Sequence, residues 1–550
     1  MYTQKRAPYS VVWLLAVFLA TFMILTGTFM HPAEPTSSYL VQAADLATAR
    51  TAVAAVGGKI THELAIIHAV GAELSVTQQT ALKNNAAITA IYENQSLDVS
   101  ESGWGDYVPD LESVTMPSAA VGSDALHKEG ITGDGVTIAI IDTGIAQYLP
   151  ALKYDSNWEK RIAANYDAIA GTETRWFQGD PNGHGSHITG VAVGSDKFFE
   201  KSYDGVAPDA DVVIVTAFDK DGRGTYLDVI RGIDWVVAHK DNYNIRVLNL
   251  SFSAAPQSYY WDDPLNQAVM RAWEAGIVVV AAAGNTGPSP MTIGVPGNVP
   301  YIITVGATSN NYTLDNQADD FLTSFSSAGP TVEGFVKPDV VAPGGHIRAV
   351  MPATARLAKD HPTYHDGYSY FTMSGTSQAT AVTTGVVALM LQKDPSLTPD
   401  DVKCRLMSSA HTAVDDQGDL AYSIFQQGAG QVNAYDAVYN TASGCANQGL
   451  DLAADLDGTA HFGGPAMQDE DGNFTIMDTD GFAWSGGFAW SGGFAWSGGF
   501  AWSGGFAWSG GFAWSGGFAW SGGFAWSGSA VSPASLTRST SQIGSWVPQE

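Results

Sequence analysis

The sequence predicts an α/β fold in which a parallel sheet carries helices on both faces. The first observation is a set of short apolar runs at residues 136–141, 212–216, 247–250, 277–282 and 302–305, as expected of strands buried on both faces. The second is that helical patterns lie between them, at 184–193, 226–240 and 265–275, so that strand and helix alternate from about 119 to 440. The third is size: 550 residues with 45% hydrophobic content supply one large core with smaller appendages. In such a sheet the active groups belong at strand C-terminal ends and in the loops beyond them.

Taken in order, Lys5 and Arg6 precede an apolar run from Val11 to about Leu25. Residues 1–33 therefore read as an export signal or an uncleaved membrane anchor, with cleavage favoured. Residues 38–100 follow the order βαββαβ: apolar Tyr39-Leu40-Val41, a helix at 45–56, strands at 59–64 and 66–74, a helix opened by the capping box Ser75-x-x-Gln78, and a strand at 88–92. That order is of the ferredoxin-like type, and the unit carries no catalytic cluster of its own. Residues 101–118, with Gly103, Gly105, Pro109 and Pro117 among acids, form a linker.

The main domain, 119–440, ends after a helix signalled by Thr398-Pro399-Asp400-Asp401. Residues 445–480 hold many aspartates without the spacing of an EF-hand loop, and read as an acidic, solvated linker. Residues 481–528 are eight copies of Gly-Phe-Ala-Trp-Ser-Gly. Two readings stand for them: an ordered β-array with Phe and Trp on one face, or a flexible low-complexity tail. In either form the rings offer stacking faces for glycans, the cell envelope or other copies of the chain. A tail at 529–550 completes the chain.

The net charge of −29 argues against nucleic acid or an anionic membrane as partner. Cys404 and Cys445 are the sole cysteines, so the chain is no disulfide scaffold, although one bridge is open to it after export.

Four residues bear on chemistry. Ser377 stands just before the apolar helical pattern 382–391, where unpaired N–H groups and the helix dipole favour developing negative charge. An ordinary N-cap serine would look the same. Asp142 ends the strand 136–141, a place equally suited to a turn-forming aspartate. His184 lies in Asn182-Gly183-His184-Gly185-Ser186-His187, where glycines allow close backbone approach. A metal pair with His187 lacks further ligands at recognisable spacing. Asn285, just after Gly284, closes the stretch that begins at Val278, as a turn residue or as a donor into the cleft. Singly each has a bland explanation, whereas together they supply orienting carboxylate, general base, oxyanion donor and nucleophile.

The stretches Ile140-Ile141-Asp142-Thr143-Gly144-Ile145, Gly183-His184-Gly185-Ser186-His187, Ala283-Gly284-Asn285 and Ser374-Gly375-Thr376-Ser377-Gln378-Ala379 closely resemble the active-site motifs of the subtilases, the subtilisin-like serine peptidases. The order Asp, His, Ser matches, and the resemblance covers roughly 119–437. The alternative serine-hydrolase architecture would need G-x-S-x-G, where the chain has Gly375-Thr376-Ser377-Gln378-Ala379, and the order Ser, acid, His, so it fails twice. Departures are Ser186 and Ile188 where Thr and Val are usual, Gln378 for the frequent Met and Ala381 for the common Pro; none removes a functional group.

The resemblance implies a subtilisin-like domain with Asp142, His184 and Ser377 as triad and Asn285 at the oxyanion. It implies that Ser251, Phe252 and Ser253 form an edge strand for extended protein or peptide substrate, facing Gly284 across the specificity pocket. Residues 38–100 would be a prosegment that assists folding and inhibits the cleft until removed. No cofactor is required by this chemistry. Calcium is frequent in the family, but Ser195-Asp196-Lys197-Phe198-Phe199-Glu200-Lys201 reproduces no ligand loop, so no site is assigned. The expectation is a secreted or envelope-associated serine endopeptidase made as a self-processed proenzyme. Its rival is an inactive subtilase-fold binding or scaffold protein at the cell surface.

Overall fold

The computed structural model describes residues 34–99, 115–174, 179–198, 202–310, 320–415, 419–468, 474–476, 507–508 and 512–513. The expected signal or anchor, linker residues 101–114, nearly all of the repeats and the tail 529–550 lie outside the described residues. Within the repeats, Ala507–Trp508 pairs antiparallel with Phe512–Ala513.

The first unit runs β1 (Thr36–Ala43), α1 (Leu46–Ala55), β2 (Lys59–Leu64), β3 (Ala69–Ser75), α2 (Val76–Lys83), β4 (Ile88–Glu93) and β5 (Ser96–Val99). Local chemistry starts both helices. The Thr48 N–H donates to Asp45 Oδ1 at 2.7 Å, and Ser75 with Gln78 forms the capping box expected. Strands β1 to β4 make an antiparallel sheet in the order β2-β3-β1-β4. One face closes a small core of Tyr39, Val41, Val70 and Leu74 over Val53 and Leu82. The short strand β5, absent from the sequence reading, leaves this sheet altogether.

The larger unit contains β6 (Thr137–Asp142), β7 (Ile162–Asp167), α3 (His184–Val193), β8 (Asp211–Thr216), β9 (Arg223–Thr225), α4 (Tyr226–His239), β10 (Ile245–Leu250), β11 (Phe252–Ser253), α5 (Pro264–Glu274), β12 (Val278–Ala282), β13 (Ile303–Ser309), β14 (Val340–Pro343), α6 (Thr376–Lys393) and α7 (Pro399–Ser409). Its sheet has the parallel order β14-β13-β12-β10-β6-β8-β7, with short antiparallel additions Thr172–Glu173 and Phe321–Leu322 at β7 and β13. The chain builds one side of β6 with β7 and β8, then crosses to build the other from β10 onward. That makes the C-terminal end of β6, which is Asp142, the topological switch point where α/β sheets bind ligands.

Helix α6 is buried from Thr376 through Leu391. It begins six residues before the apolar pattern at 382–391, because Thr376, Ser377, Thr380 and Thr383 are enclosed by neighbours rather than selected for hydrophobicity. Several hydroxyls settle within the helix itself, as Thr380 Oγ1 does on the Thr376 carbonyl at 2.7 Å.

The second face of the small sheet lies on α4 and α5. Leu40, Leu64, Ile67 and Ala69 join the apolar core of the larger unit. Asp234 of α4 accepts the N–H groups of Ala65 and Ile66 at 2.8 and 3.2 Å, and Gln42 Nε2 donates to Gln267 Oε1 of α5 at 2.8 Å. A Cβ at Gly71 would stand 2.6 Å from Leu227 Cδ2, so glycine is what permits this approach.

The region expected as a solvated acidic spacer does not behave as one up to residue 468. Helix α8 (Leu452–Leu456) buries Asp455, whose carboxylate accepts hydrogen bonds from Tyr260 Oη, from Tyr301 Oη at 3.0 Å and from His461 Nδ1 at 2.7 Å. Three donors offset the cost of burying that charge. A charge count along the sequence cannot see them. Cys404 and Cys445 are bonded, anchoring this segment to α7. Closing a loop of 41 residues limits the unfolded chain, so replacing both cysteines by serine is expected to cost about 2–4 kcal/mol in denaturant unfolding under oxidising conditions. Unchanged stability would show the bridge to be dispensable.

Candidate active site

Asp142, His184 and Ser377 are each buried, at or next to the ends of three elements of the larger unit. Asp142, at the end of β6, and His184, the first residue of α3, approach so that His184 Nδ1 lies 2.8 Å from Asp142 Oδ1 and 2.9 Å from Oδ2. The carboxylate assigns the proton to Nδ1, which makes Nε2 the basic nitrogen. Asp142 Oδ1 also accepts the Thr143 N–H at 2.7 Å, fixing the carboxyl plane.

Glycine makes this approach possible. A Cβ at Gly185 would come within 2.3 Å of the Gly144 carbonyl oxygen, and Gly144 itself has φ +122. No other residue fits that crossing of the two motifs.

Asp180 completes the loop, and the sequence reading missed it. Its Oδ1 accepts Thr143 Oγ1 at 2.9 Å and the Gly183 N–H at 2.8 Å, while Oδ2 accepts the Ser186 N–H at 2.8 Å and Ser186 Oγ at 2.7 Å. One carboxylate thus ties the Asp142 turn to the start of α3. The clue available was Asp180-Pro181-Asn182-Gly183, a turn composition whose aspartate caps backbone a few residues on. Asn182 Oδ1 likewise accepts the His184 N–H at 3.1 Å.

Ser377 is the second residue of α6. Its hydroxyl donates to the Ser251 carbonyl at 3.0 Å, and Ser251 Oγ donates back to the Ser377 carbonyl at 3.1 Å. Ser251 is held in turn by Asn249 Nδ2 at 2.9 Å, and Asn249 Oδ1 accepts Thr384 Oγ1 at 2.9 Å. Neither Asn249 nor Thr384 stood out in the sequence.

Asn285 lies on the other side of the helix start. Its Oδ1 accepts both the N–H and the hydroxyl of Thr376, at 2.9 and 2.8 Å. Occupation of the oxygen directs the amide NH₂ away from Thr376, so orientation is set by the residue preceding Ser377. Gly284 donates its N–H to the same Thr376 hydroxyl at 3.3 Å. A Cβ at Gly284 would meet Ser253 Oγ and Ser327 Oγ, each at 2.9 Å, where φ is +113. Phe252 and Ser253 form β11 as an edge, and Phe252 stacks obliquely on Phe218, ring centres 5.1 Å apart.

His187 is not a partner of this chemistry. Its Nε2 lies 3.2 and 3.1 Å from the carbonyls of Ile347 and Phe371, and burial, with His184 nearby, pushes its pKa down to about 3. It is a neutral core histidine. Among the described residues no group of three or more His, Cys, Asp or Glu is placed to hold a metal ion.

Beside the site runs a three-stranded antiparallel sheet, β9-β5-β11, in which β5 from the first unit fills the space between two edges of the second. Strand β9, the second wall, escaped the sequence reading because Arg223-Gly224-Thr225 carries no strand pattern.

Comparison with known proteins fits these features. The family model described as the subtilase family matches residues 133–431. The chain is 39% identical over 317 residues to the serine protease AprX of Bacillus subtilis, covering 57% of this chain and 68% of AprX. It is 31% identical over 356 residues to subtilisin E of the same organism, covering 64% and 78%. Among solved structures it is similar to fervidolysin from Fervidobacterium pennivorans, with a TM-score of 0.57 and 22% identity over 75% of this chain and 62% of that one, a likeness of fold. With the family pattern running from the strand that carries Asp142 past the helix that carries Ser377, the chain belongs to the subtilase family and is a serine endopeptidase.

Proposed function

We propose that this chain is an exported proenzyme that cuts peptide bonds in protein substrates with Asp142, His184 and Ser377 as its triad. The observation that carries the reading is the buried Asp142–His184 pair, which leaves Nε2 as base, with α3, the helix that His184 opens, packed against α6, the helix near whose start Ser377 lies. In this reading His184 Nε2 takes the hydroxyl proton as Ser377 Oγ attacks the substrate carbonyl, and Asp142 stabilises the resulting imidazolium. The Asn285 amide and the Ser377 N–H receive the oxyanion, helped by the positive end of the α6 dipole. The proton then passes to the leaving amine, and water resolves the acyl-enzyme.

Export rests on the charged and apolar start of the chain and on the bonded cysteines. Among the described residues no helix is long and apolar enough to cross a membrane. Residues 38–100 act as prosegment and inhibitor in this reading, supported by β5 lying between the two edges that would take substrate. The aromatic repeats give a means of contact with envelope or glycan. Nothing favours the inactive alternative, since each of the four groups is present.

The test is a serine-directed fluorophosphonate on processed protein: labelling should map to Ser377, and folded protein that stays unlabelled would sink the reading. A separate expectation concerns the oxyanion. Asn285→Leu should lower kcat by about 10²–10³-fold with little change in KM, a magnitude carried over from subtilisin, where such a donor was removed. An equal loss falling on KM would mean that the amide binds substrate rather than the transition state.

A further inference from the structure

Two loops run from the walls of the specificity pocket expected between Ser253 and Gly284. One leads from β11 to α5 and holds Ala254 and Tyr260; the other leads from β12 to β13 and holds Gly294, Val295 and Tyr301. Near the cleft they are joined, because the Ala254 N–H donates to the Val295 carbonyl at 3.0 Å and the Val295 N–H donates back to Ala254 at 2.8 Å. The Gly294 N–H donates to the Ala283 carbonyl at 3.0 Å, which sets the second loop against the end of β12. The fit is close. A Cβ at Gly294 would stand 1.9 Å from Ser253 Oγ, and one at Gly284 would stand 2.9 Å from it, so a hydroxyl fills the gap between two glycines.

Farther from the cleft the same two loops meet on one carboxylate. Tyr260 and Tyr301, buried at 0% and 2% exposure, both donate their hydroxyls to Asp455 Oδ2. Burial, and then the charge of Asp455, pushes both phenol pKa values up, so each stays a donor. Asp455 Oδ1 accepts His461 Nδ1 at 2.7 Å, and the His461 ring stacks on Trp261 of the first loop with ring centres 4.8 Å apart. Asn447 grips the second loop: its Nδ2 donates to the Tyr301 carbonyl at 3.0 Å, and its Oδ1 accepts Lys403 Nζ at 3.3 Å. The same ammonium reaches the carbonyls of Pro300, Tyr301 and Ile302 at 2.7, 3.0 and 2.9 Å. Asn447 and Asp455 both lie beyond 133–431, the stretch that the subtilase pattern matches.

Resting on the proposed peptidase function, we infer that segment 445–464 is part of the specificity pocket, with Asp455 as a positioning residue that sets the spacing of its walls. A substrate side chain entering between Ser253, Gly284 and Gly294 pushes the two walls apart. The Ala254–Val295 pair resists at the near end and Asp455 at the far end. Two hydrogen bonds to one charged oxygen, out of water, are strong and directional. With the clamp closed the pocket favours small side chains. Without the carboxylate, two buried hydroxyls lack their acceptor, and the loops separate to find other partners. The pocket then admits larger side chains.

The experiment compares wild type with Asp455→Ala, Asp455→Asn and the pair Tyr260→Phe with Tyr301→Phe, each made as the full chain and processed. The substrates are peptides that differ only in the residue before the cut, alanine or phenylalanine. Asp455→Ala should raise the phenylalanine-to-alanine ratio of kcat/KM at least about tenfold, the scale on which a carbon or two in an apolar pocket is discriminated. The tyrosine pair should do the same while leaving Asp455 with His461, and it decides alone if Asp455→Ala does not fold. Asp455→Asn should match wild type, because its amide oxygen can take both phenol hydrogens while its NH₂ donates to His461 Nδ1. Labelling of Ser377 by a small fluorophosphonate, which places no side chain in the pocket, should stay within about threefold of wild type in every variant, whereas general loss of structure would lower all rates together. An unchanged or lowered ratio in a folded Asp455→Ala or tyrosine-pair variant overturns the inference, as does the same change in Asp455→Asn; labelled Ser377 then leaves the peptidase reading standing. Wild type that stays unlabelled overturns that reading instead.

Discussion

Ser377→Ala should lower peptide turnover by about 10⁶-fold and leave the prosegment attached. The size follows from how the triad works as a unit: in subtilisin, removing the serine or the histidine alone costs about as much as removing all three residues, about 2 × 10⁶ in kcat. What remains is transition-state binding by the oxyanion donors, without an acyl-enzyme. The substitution is structurally mild. The bond from its hydroxyl to the Ser251 carbonyl is lost, while the reciprocal bond from Ser251 Oγ goes to the Ser377 backbone and survives. Thermal unfolding of the variant should therefore stay within a few degrees of a wild-type chain that still carries its prosegment. The measurement is turnover of a chromogenic peptide beside intact mass. Residual turnover above about 1% in the purified variant, with no wild-type contaminant, would show that another group is the nucleophile.

The fold was legible because buried parallel strands announce themselves. The runs at 136–141, 212–216, 247–250, 277–282 and 302–305 each became a strand of the main sheet, with ends displaced by at most four residues. Val, Ile and Ala on both faces leave no alternative environment for them. The first unit was legible by a different signal, its cap residues Asp45 and Ser75. Two strands of the main sheet, β7 and β14, escaped, and so did elements whose reason lies in a partner. Strand β5 and strand β9 have no apolar run and exist because each completes the other's hydrogen bonds. Asp455 looked like one more acid in a soluble stretch until Tyr260, Tyr301 and His461 were brought to it. Asp142, His184, Ser377 and Asn285 could be named because their motifs combine functional groups with glycine at fixed offsets. Asp180, Asn249 and Thr384 could not, since a polar residue that orients another leaves no spacing of its own.

Asp142→Asn should slow self-cutting by about 10⁴-fold while the fold and the approach of the two motifs are kept. The argument is about one proton. In the native pair both carboxylate oxygens face Nδ1, at 2.8 and 2.9 Å, and an acceptor there holds the hydrogen on Nδ1. An amide can keep the bond from the Thr143 N–H through its oxygen, since that bond goes to Oδ1 at 2.7 Å. Its NH₂ then occupies the Oδ2 position and donates to Nδ1. That moves the imidazole hydrogen to Nε2, which can no longer accept the proton of Ser377, and the charge that would steady the imidazolium is gone as well. For the equivalent change in a serine protease triad the loss is about 10⁴ in kcat. The readout is the first-order disappearance of the intact chain, which reports chemistry within one molecule and needs no separately prepared mature enzyme. A native-like thermal transition should accompany the slow rate, and the imidazole ¹⁵N shifts of His184 should report the other tautomer. Slowing of less than tenfold with the tautomer reversed would mean that Nε2 is not the base, and the roles given to both residues would have to be exchanged for others.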